Sequence, residues 1–148
     1  GRVTSIKTIN DYYFKHGWVS TQETTFMPFQ IQACNDGHIQ LQGIIGDITQ
    51  QTYEIVLGGN RNRNSMIRAK SRGPDMIRVK TDQFLNCTEM RPFWVSWANG
   101  NIEVGRGFVY GMDRFMAWQD PSPHPVNALS FATGWGSTAE WRIPTAPG

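Results

Sequence analysis

The chain has 148 residues, 39% of them hydrophobic, which is enough for one domain with one core and argues against disorder. Lys and Arg number 14 against 12 Asp and Glu, so the charge balance gives no reason to expect a nucleic acid partner. No apolar run approaches the roughly 20 residues of a membrane span, so we expect no membrane insertion. Six tryptophans exceed the usual need of one core, which indicates that some of them face a binding surface.

The elements predicted in chain order are short strands. Residues 1–19 carry aromatic and apolar residues without a helical stripe and are predicted to form an initial strand and a loop. Residues 27–34 and 38–42 alternate apolar and polar side chains, and the Asn-Asp-Gly sequence at 35–37 favours a turn, so we predict a hairpin there. Further strands are predicted at 53–57, 66–70, 76–80, 115–118, 127–133 and 141–143.

A second hairpin is predicted over residues 91–107, where period-two alternation runs on both sides of Asn99-Gly100. Asn-Gly accepts positive φ at little cost and favours a two-residue turn. About ten short strands separated by turn sequences, with no substantial helix, indicate an antiparallel sandwich or barrel. We expect a single all-β domain over residues 1–148, an antiparallel β-sandwich of the jelly-roll or galectin-like kind.

The two cysteines, Cys34 and Cys87, fit either one disulfide or two buried thiols. We expect the disulfide, and with it secretion, because small extracellular domains are often stabilised in this way. Asn86-Cys87-Thr88 is a glycosylation sequon, which has meaning only in a secreted protein. The chain begins without a charged-then-apolar signal pattern, which fits a mature or a cytosolic chain.

Four segments together resemble the domain named after farnesoic acid O-methyltransferase, which occurs in many secreted or modular invertebrate proteins and is similar to some animal lectins. The resemblance covers about residues 26–143. One departure is Asn60, which stands where we expect an aromatic residue after Gly58-Gly59. The segments are ACNDGHIQL at 33–41, YEIVLGGNRNRNSMIR at 53–68, RPFWVSWANGNIEVGRG at 91–107, and FMAWQDP at 115–121 followed by LSFATGWG at 129–136.

The family name implies methyl transfer, which the sequence does not favour. Methyltransferases of the usual kind need a glycine-rich turn from a strand into a helix, and no helix is predicted after Gly105-Arg106-Gly107. Glycoside hydrolysis needs two facing carboxylates, and Glu54 and Glu103 are the only strand glutamates among the central motifs. We therefore expect no enzymatic activity.

Polar side chains are the candidates for a carbohydrate site. Galectin-like sandwiches bond sugar hydroxyls with alternating polar residues on neighbouring strands, and a tryptophan covers the apolar side of the sugar. Here Trp135 lies between two glycines, which favours an exposed ring, although it could also plug one end of the sandwich. The alternative for the polar strand residues is that they simply face water. The predicted carbohydrate-binding residues are Asp36, His38, Gln40, Asn60, Arg61, Asn64, Arg68 and Trp135.

No cofactor is expected to be required, but calcium is a candidate. Calcium takes oxygen ligands, and Asp36, Asp113 and Asp120 are carboxylates in predicted loops; the alternative for Asp36 is a turn that its own side chain stabilises. The basic residues between Arg61 and Lys80 fit either a strand edge protected against aggregation or affinity for acidic glycans.

These observations predict a secreted lectin that binds galactose- or lactose-type glycans on cell surfaces without altering them. A flat sugar site is weak on its own, so we expect a homo-oligomer with several sites. The alternative is a protein–protein adhesion or scaffolding module with Trp and Arg as interface anchors.

Overall fold

A computed structural model describes residues 2–19 and 23–144. Residues 1, 20–22 and 145–148, which the single-domain prediction included, lie outside the described residues. The twelve strands are β1 (Val3–Thr8), β2 (Lys15–Val19), β3 (Phe26–Ala33), β4 (Gly37–Gln42), β5 (Thr52–Gly58), β6 (Asn64–Arg68), β7 (Asp75–Lys80), β8 (Arg91–Ser96), β9 (Asn101–Arg106), β10 (Arg114–Gln119), β11 (Ala128–Thr133) and β12 (Ala139–Pro144).

The strands form two six-stranded sheets in which all neighbouring strands are antiparallel. Sheet A has the order β1-β12-β3-β8-β9-β10, and sheet B has the order β2-β11-β4-β5-β6-β7. Within the described ranges, helical structure is confined to the four-residue turn α1 (Gly59–Asn62) and a 3-10 turn at Ala98–Gly100. The predicted all-β sandwich is confirmed. The strand count is higher than expected because the first 19 residues contribute one strand to each sheet.

The core fills the space between the two sheets. Alternation along β3 buries Met27, Phe29, Ile31 and Ala33 against the inward residues of sheet B, such as Ile55. Burial of these apolar side chains supplies the main driving force for folding. Four of the six tryptophans are buried, so most of them serve packing rather than a binding surface; these are Trp18, Trp94, Trp97 and Trp141.

The predicted hairpin at 91–107 is confirmed as the pair β8–β9, but its turn is longer than two residues. Ser96 lies opposite Glu103, so six residues connect the paired positions. Asn99 and Gly100 do adopt positive φ, at 54° and 73°, as their turn chemistry indicates. Gly105 packs against the Trp94 indole, since a Cβ atom there would lie 2.3 Å from the ring. Close packing in a strand therefore explains this glycine without a cofactor.

The predicted hairpin over residues 27–42 is wrong. β3 belongs to sheet A and β4 to sheet B, so the Asn-Asp-Gly segment crosses between the sheets instead of pairing its flanking strands. Asp36 takes the positive φ (52°) of this crossover. At Gly37 the chain passes so close to Ile31 that a Cβ atom would lie 2.5 Å from its Cδ1. Turn residues favour a change of direction, and they do not decide whether the next strand pairs with the previous one.

The predicted disulfide between Cys34 and Cys87 is present, with the two Cα atoms 4.2 Å apart. It links the crossover after β3 to the segment between β7 and β8. In the described part of the chain, no helix is long and apolar enough to cross a membrane.

Candidate functional site

Trp135 is the most exposed large hydrophobic side chain among the described residues, with 74% of its surface accessible. It lies in the loop between β11 and β12 at φ 53°, followed by Gly136 at φ 86°. The loop is anchored on both sides: Asn35 Nδ2 donates to the Trp135 carbonyl (3.3 Å), and the Gly136 backbone N–H donates to Asn10 Oδ1 (2.9 Å). The expected exposure of this ring is confirmed, and its backbone is fixed.

Two open pockets meet at Trp135, and both Trp135 and Arg68 line each of them. The first pocket has a volume of about 690 Å³ and is lined by Asn10, Asp11, Tyr12, Arg68, Arg72 and residues 134–136. The second pocket has a volume of about 420 Å³. Six of the eight residues predicted for the carbohydrate site line the second pocket: Asp36, His38, Asn60, Arg61, Arg68 and Trp135.

The other two predicted residues lie elsewhere. Asn64 is next to the second pocket and accepts a hydrogen bond from Asn60 Nδ2 (3.2 Å). Gln40 has no exposed surface, and its Oε1 accepts a hydrogen bond from the Thr52 hydroxyl. Gln40 is therefore part of the support beneath the site and does not line either pocket.

The polar face of β4 does not face water, so that interpretation is wrong. His38, Gln40 and Gln42 are all buried. The N-terminal segment covers part of this face, with the rings of Tyr12 and Phe14 4.8 Å and 6.5 Å from the His38 ring. Period-two alternation identifies the two faces of a strand, but it cannot show that a distant segment covers the polar one.

A charged cluster centred on Glu54 lies beneath the two pockets. His38 Nδ1 is 2.9 Å from Glu54 Oε2, which also accepts the Tyr12 hydroxyl. Glu54 Oε1 accepts from Arg68 Nη1 (3.3 Å) and from the backbone N–H of Arg72 (2.9 Å). One buried carboxylate thus positions the side chains of His38 in β4, Arg68 in β6 and Tyr12 in the segment between β1 and β2. It also fixes the backbone of Arg72 in the segment between β6 and β7.

The contacts of Glu54 determine its ionisation. Burial alone would raise the pKa of Glu54, but hydrogen bonds from His38, Tyr12 and the Arg72 backbone lower it to about 2. Burial acts to lower the pKa of His38, but its hydrogen bonds to Asp36 and Glu54 raise it above its ordinary value. The His38 Nε2 atom is 3.2 Å from Asp36 Oδ1, so both ring nitrogens face carboxylates and favour the imidazolium.

These contacts make Glu54 a structural anion. It is fully buried and holds no proton to give near neutral pH. Glu103 lies in the other sheet, where its carboxylate accepts from Arg114. The two strand glutamates therefore do not form the facing pair that glycoside hydrolysis requires.

Unusual backbone conformations concentrate around the two pockets. Eleven described non-glycine residues have positive φ, and six of them line these pockets: Tyr12, Asp36, Asn60, Arg61, Arg72 and Trp135. A left-handed conformation costs an L-residue roughly 1–2 kcal/mol, so it persists only where surrounding contacts enforce it. Strain of this kind is typical of functional sites.

The turn α1 shows how the strain is enforced. Asn60 and Arg61 have left-handed φ and ψ, so this turn is not a right-handed helix. The buried Asn62 side chain fixes its end, with Nδ2 donating to the Leu85 carbonyl (2.7 Å) and Oδ1 accepting from the Leu85 backbone N–H (3.1 Å). Asn60 and Arg61 are thereby held exposed at the wall of the second pocket.

The three aspartates proposed as calcium ligands do not converge. Asp36 lies beside Gly58, at one end of β5, and Asp120 accepts from the Tyr53 hydroxyl (2.7 Å) near the other end. Asp113 is in the loop between β9 and β10 of sheet A. Among the residues that the structure describes, no three His, Cys, Asp or Glu residues form a group that could hold a metal ion.

Tyr12, Glu54 and Arg72 are among the residues of the site that were not predicted for carbohydrate binding. Glu54 had a usable signal, because it is the only charged residue in the strand TYEIVLG and lies directly opposite Gln40 in β4. Arg72 belongs to the basic segment for which affinity for acidic glycans was one interpretation, but local sequence did not place it at this site. Tyr12 had no such signal, since it reaches the site from a loop whose position depends on the tertiary fold.

Fold and site together define an antiparallel β-sandwich domain with an open cleft at sheet B. This cleft consists of the two pockets that meet at Trp135 and is lined by polar and aromatic residues. The chain belongs to the farnesoic acid O-methyl transferase family, whose sequence profile matches residues 10–146. It is 30% identical over 112 residues to "Uncharacterized protein 5" of Haliotis asinina, an alignment that covers 76% of this chain and 64% of that protein. It is also 29% identical over 73 residues to a BTB/POZ domain-containing protein of Arabidopsis thaliana, covering 49% of this chain and 9% of that protein.

Solved structures with a similar fold include glycosidases. A prokaryotic beta-1,3-1,4-glucanase (lichenase) from a mouse hindgut metagenome superposes with a TM-score of 0.52 at 11% identity, covering 82% of this chain and 67% of that one. A structure described as a native glycosidic hydrolase superposes with a TM-score of 0.54 at 9% identity, covering 95% of this chain and 77% of that one. At such identities the likeness shows a shared fold.

Proposed function

We propose that this protein is a lectin that binds galactose-type glycans without altering them. The observation that carries the proposal is the Trp135 ring, exposed on a fixed loop between two pockets. An aromatic ring held in this way offers a flat apolar surface at little entropic cost, which suits the apolar face of a galactose ring.

Directional hydrogen-bonding groups surround the ring and support the same proposal. Arg68, Asn60 and Asp36 line the second pocket together with Trp135. Arg68 is itself fixed by ion pairs with Glu54 and Asp75, so its position does not depend on the ligand. Pre-organised donors and acceptors lose little entropy on binding, and they favour one pattern of sugar hydroxyls over another.

We further propose secretion and a homo-oligomer that presents several sites. The disulfide is compatible with an oxidising compartment. Several weak sites on one particle raise the overall affinity for a glycan-bearing surface, whereas a single open site releases its ligand quickly. Catalysis is not part of the proposal, since Glu54 is committed to its structural partners.

The experiment combines red-cell agglutination with calorimetry on lactose. Agglutination inhibited by galactose or lactose and not by glucose supports the proposal, and an EDTA arm tests the calcium hypothesis. Trp135→Ala is expected to weaken lactose binding about tenfold or more, because it removes the stacking surface. Phe108→Ala is the matched control, since it removes an exposed aromatic ring from the β9–β10 loop of sheet A. A folded wild-type protein that binds no glycan on an array refutes the proposal.

One observation favours the second candidate, a protein–protein adhesion module. The loop between β9 and β10 exposes four apolar side chains: Phe108, Val109, Tyr110 and Met112. Contiguous exposed apolar surface of this kind is typical of interfaces. Cell binding that is lost in Phe108→Ala but unaffected by Trp135→Ala or by free sugars would favour this second function.

A further inference from the structure

Two arginines flank Trp135, one in each pocket. Arg72 lines the first pocket and Arg61 lines the second. Both are exposed, and neither guanidinium has a carboxylate within ion-pair distance among the described residues. Arg68 between them differs, because Glu54 and Asp75 neutralise it.

Arg72 is also held in place more firmly than a surface arginine. Its backbone N–H donates to Glu54 Oε1 (2.9 Å), and its guanidinium carbon lies 4.3 Å from the centroid of the Tyr12 ring. Stacking on an aromatic ring fixes the plane of the guanidinium while leaving its edge donors free. Tyr12 is fixed in turn by its hydroxyl, which donates to Glu54.

The first pocket therefore presents a positioned cation beside the stacking surface. A guanidinium edge matches the oxygens of a carboxylate or sulfate, with which it forms charge-assisted hydrogen bonds. Asp11 also lines this pocket, and its Oδ1 accepts from the Tyr13 backbone N–H (3.0 Å). Its charge repels an anion placed near it, which restricts the favourable position to the side of Arg72.

We infer that the preferred ligands are acidic galactosides, with the sugar ring on Trp135 and an anionic substituent, a sulfate ester or a carboxylate, against Arg72 in the first pocket. This inference rests on the proposed carbohydrate site and names its ligand class. It accounts for a positioned guanidinium that stacking on a neutral sugar does not require.

The test is calorimetry with lactose, 3′-sulfated lactose and 3′-sialylated lactose at low and high salt. We expect the two anionic lactosides to bind about tenfold more tightly than lactose at low salt, as for a hydrogen bond to a charged group. This difference in affinity is expected to become smaller at high salt, because salt screens the exposed charge of Arg72. A preference for only one of the two shows whether the pocket takes a sulfate or a carboxylate.

Variants assign the effect to its residue. Arg72→Gln is expected to bring the affinity ratio of anionic to neutral lactosides close to one. Arg142→Gln, which removes an exposed charge from β12 of sheet A, is the matched control and should keep the ratio. Circular dichroism of each variant establishes that it is folded.

Three outcomes overturn the inference, and they are distinguishable from a failure of the proposed function. If lactose binds and the anionic forms bind no more tightly, the acidic preference is wrong while the lectin proposal stands. If the preference persists in Arg72→Gln and is lost in Arg61→Gln, the anion lies in the second pocket. If no lactoside binds to folded protein, the lectin proposal itself fails.

Discussion

Replacing Glu54 by glutamine tests whether the buried carboxylate organises the site. Glutamine has nearly the same shape, so the change removes the charge and leaves the volume. The pKa of Glu54 is lowered from its ordinary value of 4.5 to about 2. At roughly 1.4 kcal/mol per unit of pKa, this shift corresponds to about 3 kcal/mol of folding stability. Losing one partner of a buried ion pair costs a similar amount, about 3–5 kcal/mol.

The assay is urea unfolding followed by tryptophan fluorescence at pH 6, pH 4 and pH 2.5. Glu54 has a lower pKa in the folded than in the unfolded state, so its stabilisation is present above the unfolded value and disappears as the pH falls through the folded value. The gap in unfolding free energy between wild type and Glu54→Gln is therefore about 3 kcal/mol at pH 6 and narrows below pH 4.5.

The control is Glu89→Gln, whose carboxylate is 64% exposed and pairs with Arg91 at 3.5 Å. Exposed pairs contribute little, so this variant should differ from wild type by less than about 1 kcal/mol at every pH. A Glu54→Gln gap that stays constant from pH 6 to pH 2.5 would refute the reasoning, because the stabilisation would then not depend on the ionised carboxylate.

Two further predictions concern the disulfide and the strained turn α1. Replacing Cys34 and Cys87 by serine is expected to lower the unfolding free energy by about 4 kcal/mol, since the disulfide closes a loop with a sequence separation of 53 residues; a loss below about 1 kcal/mol in urea unfolding would contradict this. Arg61→Gly is expected to raise the midpoint of urea unfolding, because glycine accepts the left-handed φ of 60° and relieves roughly 1–2 kcal/mol of strain. This gain exceeds the roughly 0.4–1 kcal/mol that the greater freedom of glycine in the unfolded chain costs. A lower midpoint would mean that the Arg61 side chain contributes more to stability than its backbone costs.

Local sequence predicted those elements whose structure is determined by nearby residues. Alternation in 91–107 predicted β8 and β9, and the glycines around Trp135 predicted its exposure, because both features depend on short-range geometry. The Asn-Asp-Gly segment failed as a hairpin signal, since the same backbone bend serves a crossover between sheets. That choice depends on which strands are free to pair, and this is a property of the whole fold.

The composition of the site was partly predictable for the same reason. His38, Asn60 and Arg68 lie in segments whose polar residues identified them as candidates for a binding site. The pairing of β4, β5 and β6 brings these three residues together. The covering of β4 by Tyr12 and the approach of Arg72 depend on loops distant in sequence. The polar face was therefore recognised, but whether water or protein covers it was not.

The pairing of β1 with β12 has a consequence for how such domains are joined in series. Val3 lies opposite Pro144, so both ends of the described sandwich leave from neighbouring positions. β12 runs from Ala139, near the Trp135 loop, to Pro144, a rise of about 17 Å along the strand. A linker attached at either of these ends would therefore join the sandwich at the end of β12 that is remote from the Trp135 loop.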